Sequence, residues 1–294
     1  MASLTRRKEA LRRISAAVTL SAVLVSSSTF AAAQDNKPFV VGVDVGANPY
    51  VIANPDGSIT GFNIDLLNEV SKRLARPTPR IIDQQFAGIF AGLEAKRYDF
   101  IAAPVTVTRE RAERMLFIES FLGSSYQLLT RKDAPPIEKI EDLNGKTIAV
   151  NNGSAYDNWL TENQSKFTYS VERYGKNADA FQAVLAKRAD AAMSGDGNVM
   201  YAASQNPLMK ASYRIQTGAL FSWAFRHDDP DLRAQIERVV ECLKLDGTVA
   251  KIYRNWFSED PAPGSPSLTV YAGLGQPGMP GYTLDFGLPN CGRQ

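Results

Sequence analysis

Histidine is nearly missing from this chain: among 294 residues there is one, His227, and there are two cysteines, Cys242 and Cys291. That scarcity excludes zinc and haem sites of the usual ligand sets and leaves histidine-dependent nucleophilic catalysis resting on a single imidazole. His227 stands in Arg226-His227-Asp228-Asp229, a polar lead-in to a helix, where a solvated ring is expected. Neither sign of charge dominates, with 33 basic residues against 31 acidic ones. Without residues 1–33 the balance is 28 to 30, so the body lacks the electrostatic footprint of a nucleic-acid-binding protein. The motif G-x-x-x-x-G-K-[ST] is absent and no G-x-G-x-x-G follows a predicted strand, so no phosphate-cradling loop and no cofactor are expected.

The first 33 residues read as a signal peptide. Arg6, Arg7, Lys8, Arg12 and Arg13 precede an apolar run, Ile14 to Val25, that is too short to span a bilayer, and Ala31-Ala32-Ala33 supplies a small-residue cleavage site. Export permits oxidation, and an even cysteine count suggests one bridge, Cys242–Cys291. The remainder is 44% hydrophobic and 22% charged over the full chain, which is globular composition and long enough for one large or two modest domains.

From Phe39 onward short apolar runs alternate with segments of helical period, the pattern of an α/β fold with a mainly parallel sheet. Strands are predicted at Phe39–Val43, Tyr98–Ala103, Thr147–Asn151 and Ala189–Met193. Helices are predicted at Asn63–Arg76 with Asn63 as cap, Phe86–Arg97, from Thr108, at Ala155–Asn163 and Asp179–Arg188, and after Asp229, with Pro230 at its first position. One junction recurs almost literally: Lys96-Arg97-Tyr98-Asp99-Phe100-Ile101 and Lys187-Arg188-Ala189-Asp190-Ala191-Ala192. Its recurrence at the same place in a helix–strand unit implies two similar lobes. Residues 261–294 hold six prolines and seven glycines, so an irregular tail laid over the surface is expected there.

Arg109 and Arg111 fall in the first turn of a predicted helix, where the dipole favours acids. Such an arginine makes either an anion site suited to a carboxylate or a surface ion pair. Gly153 and Ser154 sit between a strand and a helix, where Gly153 permits a tight turn and Ser154 caps while leaving neighbouring N–H groups for a ligand. Both lie at strand carboxyl ends, where open α/β sheets bind ligands. Asp196, just past a strand, either holds an ammonium group or caps the next helix. Tyr50 and Phe86 are either pocket walls or core aromatics.

The motifs Gly61-Phe62-Asn63-Ile64-Asp65-Leu66, Tyr98-Asp99-Phe100-Ile101-Ala102-Ala103, Thr106-Val107-Thr108-Arg109-Glu110-Arg111, Leu143-Asn144-Gly145-Lys146-Thr147-Ile148-Ala149-Val150 with Gly153-Ser154, and Tyr253-Arg254-Asn255-Trp256-Phe257 together resemble the periplasmic solute-binding proteins of polar amino-acid ABC transporters, solute-binding family 3. The resemblance implies a type II periplasmic binding protein fold: lobe I from 38–124 and 222–260, lobe II from 125–221, each an open α/β sheet, joined by two hinge strands. It implies that Arg111 takes the ligand carboxylate, with Thr106, Gly153 and Ser154 adding bonds, Phe86 stacking on the side chain, and Asn48 and Tyr50 lining the pocket. Two positions depart from the family pattern. Ala103 and Pro104 stand where a small hydroxyl residue or glycine is usual, and Gly195 stands where an amine-binding aspartate is usual, with Asp196 one residue later.

The expected function is capture of an amino acid or similar small carboxylate by lobe closure, as a monomer, for delivery to an ABC permease. Two rivals stand beside it. One is an enzyme on the same scaffold, resembling cyclohexadienyl dehydratases, with Asp44, Glu119 or Asp196 as acid or base. The other is a sensory or interaction module working through the 261–294 tail.

Overall fold

The computed structural model describes residues 37–285, 287 and 289–292. The expected signal peptide, 1–33, lies outside them. Among the described residues no helix is long and apolar enough to cross a membrane.

In the first part of the chain, β1 (Val40–Val43) is followed by a small hairpin of β2 (Ile52–Ala53) and β3 (Ile59–Thr60), then α1 (Phe62–Arg73), β4 (Arg80–Asp83), α2 (Phe86–Glu94), β5 (Phe100–Thr106), α3 (Arg109–Arg114) and β6 (Leu116–Phe117). The long strand β7 (Leu122–Arg131) leads to β8 (Thr147–Asn151), α4 (Ala155–Asn163), β9 (Ser170–Tyr174), α5 (Asn177–Leu185), β10 (Ala191–Gly195) and α6 (Asp196–Gln205). The 17-residue β11 (Met209–Phe225) returns, and α7 (Pro230–Leu245) and α8 (Thr248–Phe257) follow.

Strand order β4-β1-β5-β11-β7-β10-β8-β9 divides into two parallel triplets, β4-β1-β5 and β10-β8-β9. Between them β7 and β11 pair antiparallel, and their ladder makes one hydrogen-bonded sheet out of what reads in sequence as two. That ladder is irregular between Ala211 and Arg214 and again between Ile215 and Ala219. The apolar interior is split along the same line. Phe39, Leu66, Phe100, Trp223 and Phe225 share a core with α1 and α7, while Leu128, Ile148, Val150, Leu160 and Met193 pack apart from it. Within the first, Phe100 stacks on Phe225 at 5.0 Å and meets Phe39 edge-on at 5.4 Å, contacts whose loss costs about 3–5 kcal/mol per ring removed.

The repeated junction is the same device in both halves. Lys96 and Lys187 both adopt positive φ, 56° and 61°, ending the helix before the strand. Asp99 Oδ2 then accepts from Val40 N–H at 2.8 Å, and Asp190 Oδ2 accepts from Thr147 N–H at 2.9 Å, so each aspartate ties its strand to the start of its parallel neighbour.

Capping differs from expectation at two helices. Asn63 lies inside α1 and its Nδ2 donates to Ala102 O at 2.9 Å; the cap is Gly61, at φ 133°, where a Cβ would fall 2.3 Å from Tyr50 O. Asp229 precedes α7, but its carboxylate turns to Arg226 at 2.7 Å instead of capping.

Past Phe257 the described residues form no helix or strand, only a bridge between Leu274 and Thr283. Cys291 is bonded to Cys242 on α7. The segment covers α7: Tyr271 N–H donates to Glu119 Oε2 at 2.8 Å, Gly275 N–H to Glu237 Oε1 at 2.6 Å, and Lys244 Nζ to Thr269 O at 2.9 Å. Helical period marks Ile236 and Leu243 as inward, but Arg233, Glu237, Glu241 and Lys244 are buried too, because α7 is covered on its polar side as well.

Candidate functional site

The carboxyl ends of strands from both triplets converge on one cavity of about 40 Å³. From β1 comes Asp44, from β5 Ala103, Pro104 and Thr106, and from the start of α2 Phe86. The facing wall is Asn151 at the end of β8, Ser154 to Tyr156 at the start of α4, Asn177 at the start of α5, and Ser194 and Asn198 around the end of β10. This is the placement that parallel sheets favour, since successive helix starts surround the space beyond the strand ends.

Arg111 is 8% exposed and spans the two walls. Its guanidinium donates to Thr106 O at 2.8 Å and to Gly153 O at 3.1 Å, and lies over the Phe86 and Phe90 rings at 5.5 and 5.0 Å. Burial lowers its pKa to about 10, so it stays charged near neutrality. Two bonds leave three of its five N–H groups uncommitted to those carbonyls. Thr108 Oγ1 caps the six-residue α3 by accepting from Arg111 N–H, so the arginine is fixed by its own cap. Arg109, the other candidate, points away and donates to Gly278 O of the tail.

Ser154 caps α4 as expected, accepting from Asp157 N–H at 3.1 Å, but Gly153 N–H is taken by Asp157 Oδ2 at 3.0 Å. The backbone donors left at this turn are those of Ala155 and Tyr156, which meet no acceptor among the described residues. An anion-compatible corner results: a buried guanidinium, two free amides at a helix start and the Thr106 side chain.

Asp44 is the carboxylate of the cavity. It is 1% exposed; its Oδ2 accepts from Asn151 Nδ2 at 2.9 Å, and its Oδ1 lies 3.1 Å from Lys176 Nζ. Desolvation raises its pKa to about 6 despite the opposing pull of Lys176. Asn151 Oδ1 and Asn177 Nδ2 are buried without hydrogen-bond partners.

Four expected site residues, Arg111, Thr106, Ser154 and Phe86, gather at this cavity, with Gly153 joined to it through Arg111. Asp196 and Tyr50 do not. They line a separate cavity of about 840 Å³ beside β7 and β11. Asp196 is paired with Arg214 and accepts from Gly197 N–H at 3.0 Å, so it has a cationic partner already. Tyr50 is 2% exposed and meets Phe221 edge-on at 5.6 Å, a core contact. Nor can an acid stand at position 195, because a Cβ there would lie 2.7 Å from Tyr156 Oη. Asn48 contributes its carbonyl, which accepts from Asn198 Nδ2 at 2.7 Å across the two walls. Glu119, offered as an acid, is buried against Lys244 away from the cavity. His227 is exposed. The residues that the sequence did not single out are Lys176, Asn151, Tyr156 and Asn177; position at a strand end or helix start is the signal that marks three of them.

The family model for bacterial extracellular solute-binding proteins, family 3, matches residues 39–259. The L-arginine-binding protein of Pseudomonas aeruginosa is 24% identical over 261 residues, covering 85% of this chain and 98% of its own. An ancestral arginine-binding protein solved with arginine is 26% identical, with a TM-score of 0.72 over 76% of this chain and 99% of its own. An ancestral amino acid-binding protein described as a precursor of cyclohexadienyl dehydratase is 27% identical, with a TM-score of 0.68 over 76% and 96% of the two chains.

Proposed function

Because the chain belongs to the bacterial extracellular solute-binding proteins of family 3, we propose that it is the capture component of an ABC importer for an amino acid or a closely related small carboxylate. The observation that carries this is Arg111, buried and touching carbonyls on both walls of one cavity. A carboxylate bound there bonds to both halves at once, so ligand binding favours the closed arrangement by its differential affinity for it. Relatives named for amino-acid binding support the ligand class.

The reading extends to location and partners: export through residues 1–33, monomeric action in the periplasm, and delivery to a membrane permease. Capture is favoured over elimination chemistry because Asp44, the one acid lining the cavity among the described residues, is already engaged by Lys176 and Asn151. The test is a thermal-shift screen of residues 34–294 against amino acids and small carboxylates, with Arg111→Ala in parallel. A ligand at 100 times its Kd adds about 2.7 kcal/mol, a shift that the variant should lose. Ligand consumed on prolonged incubation, with product appearing, would overturn the non-enzymatic reading.

A further inference from the structure

The cavity contains a carboxylate and, against it, a lysine supplied from the facing wall. Lys176 is the residue preceding α5, and its Nζ reaches across to Asp44 Oδ1 at 3.1 Å and to Asp83 Oδ1 at the end of β4. Asp83 also accepts from Val45 N–H at 3.0 Å, which holds it in place beside β1. The Lys176 side chain is 20% exposed and that of Asp44 2%, so the ion pair sits at the inner end of a channel between solvent and cavity. Burial works to lower the lysine pKa, but the bonds to Asp83 and Asp44 outweigh it and the pKa is raised, so the ammonium persists.

A buried carboxylate with no cation beside it would be an attractive seat for a guanidinium or ammonium group on a ligand. Here that seat is taken. We infer that Lys176 is the charge-selecting residue of the cavity, an internal counter-ion to Asp44 that restricts the ligand to carboxylates whose side chain carries no positive charge. The inference rests on the capture reading above and deepens it from amino acid to uncharged side chain. Its logic is that a cationic side chain has to displace or repel Lys176, while an uncharged one finds Asn151 and Asn177 with unpartnered amide atoms.

The consequence is specific. Removing the lysine charge should open Asp44 to cations, and arginine, the ligand named for two similar proteins, is the natural probe. Isothermal titration of the exported-length protein, 34–294, would compare arginine, ornithine, glutamine and agmatine in the wild type, Lys176→Met and Lys176→Arg. Agmatine has the guanidinium but no carboxylate, so its binding is independent of Arg111.

The expected result is at least a tenfold gain in affinity for arginine and agmatine in K176M, no gain in K176R, and loss of the gain when Asp44→Asn is added to K176M. Lys176→Gln serves as a second charge-removing variant where K176M does not give a cooperative melt. Wild-type protein that binds arginine as tightly as its best uncharged amino acid would overturn the inference. So would K176M and K176Q that gain no cation affinity, whatever the wild type binds. Failure of the capture reading is a different result: no amino acid or carboxylate binds the wild type, while agmatine affinity still appears in K176M.

Discussion

Two lysines in this protein face buried carboxylates, and they are built for opposite ends. Around Lys244 every polar valence is used. Its ammonium donates to Glu119, to Ser120 O at 2.8 Å and to Thr269 O at 2.9 Å; Glu119 Oε2 and Glu237 Oε1 accept from tail amides, and Arg233 and Arg238 take Glu237 and Glu241. The three glutamates lie close enough together to suggest a metal site, but each already has its own cation. Around Lys176 the account is left open: Asn151 Oδ1 and Asn177 Nδ2 have no partner, and a cavity adjoins Asp44. A saturated network fastens a segment in place, whereas an unsaturated one beside a cavity leaves valences for something that arrives.

The contrast breaks if the two lysines cost the same to remove. Lys244→Met strands Glu119 in the interior under the tail and should lower stability by about 3–5 kcal/mol in chemical denaturation. Lys176→Met, at a site open to water, should change it by about 1 kcal/mol or less. Equal losses would show that both clusters are structural. The bridge sharpens the same point. Cysteines 49 positions apart close a loop worth up to about 4 kcal/mol in the chain-entropy model, so Cys291→Ser should lower the melting temperature without changing ligand affinity. A change in affinity would connect the tail to the cavity.

On the open side, Arg111→Ala should weaken carboxylate binding about a hundredfold, equivalent to about 2.7 kcal/mol, in isothermal titration. The smallest effect concerns protons. Asp44 is raised from 3.8 to about 6, chiefly by burial, with Lys176 opposing and Asp83 assisting. The folded protein therefore holds a proton that the unfolded chain releases. This contribution to stability is complete below about pH 4 and is lost as pH rises through 6. Relative to Asp44→Asn, wild-type protein should lose on the order of 2 kcal/mol between pH 4 and 7, measured by denaturant titration. A flat difference would place the lysine, not burial, in control of that carboxylate.

Much of this was legible before any coordinates. The repeated Lys-Arg-x-Asp junction, the apolar stripes of α1 and α7, the Gly153-Ser154 turn and the irregular tail all follow from local rules, because period, caps and proline content act within a few residues. Arg111 was legible because it violates such a rule. Lys176 and the polar side of α7 were not, since apolar period reports burial only for apolar residues, and a buried lysine is defined by a partner far along the chain. Asp196 failed over a single position: Gly195 has no room for a side chain, and the next residue turns to Arg214.

The twin aspartate junctions have a consequence for how motion in this molecule can be followed. Val40 and Thr147 are the first or near-first residues of their strands, where amide protons ordinarily exchange fast, yet each is held by a carboxylate from the neighbouring strand. The protein thus carries a matched pair of protected amides, one in each half, held by the same chemistry. Their exchange rates, read in one spectrum, form an internal clock pair: slowing of both reports on the whole molecule, and slowing of one reports on its own half alone.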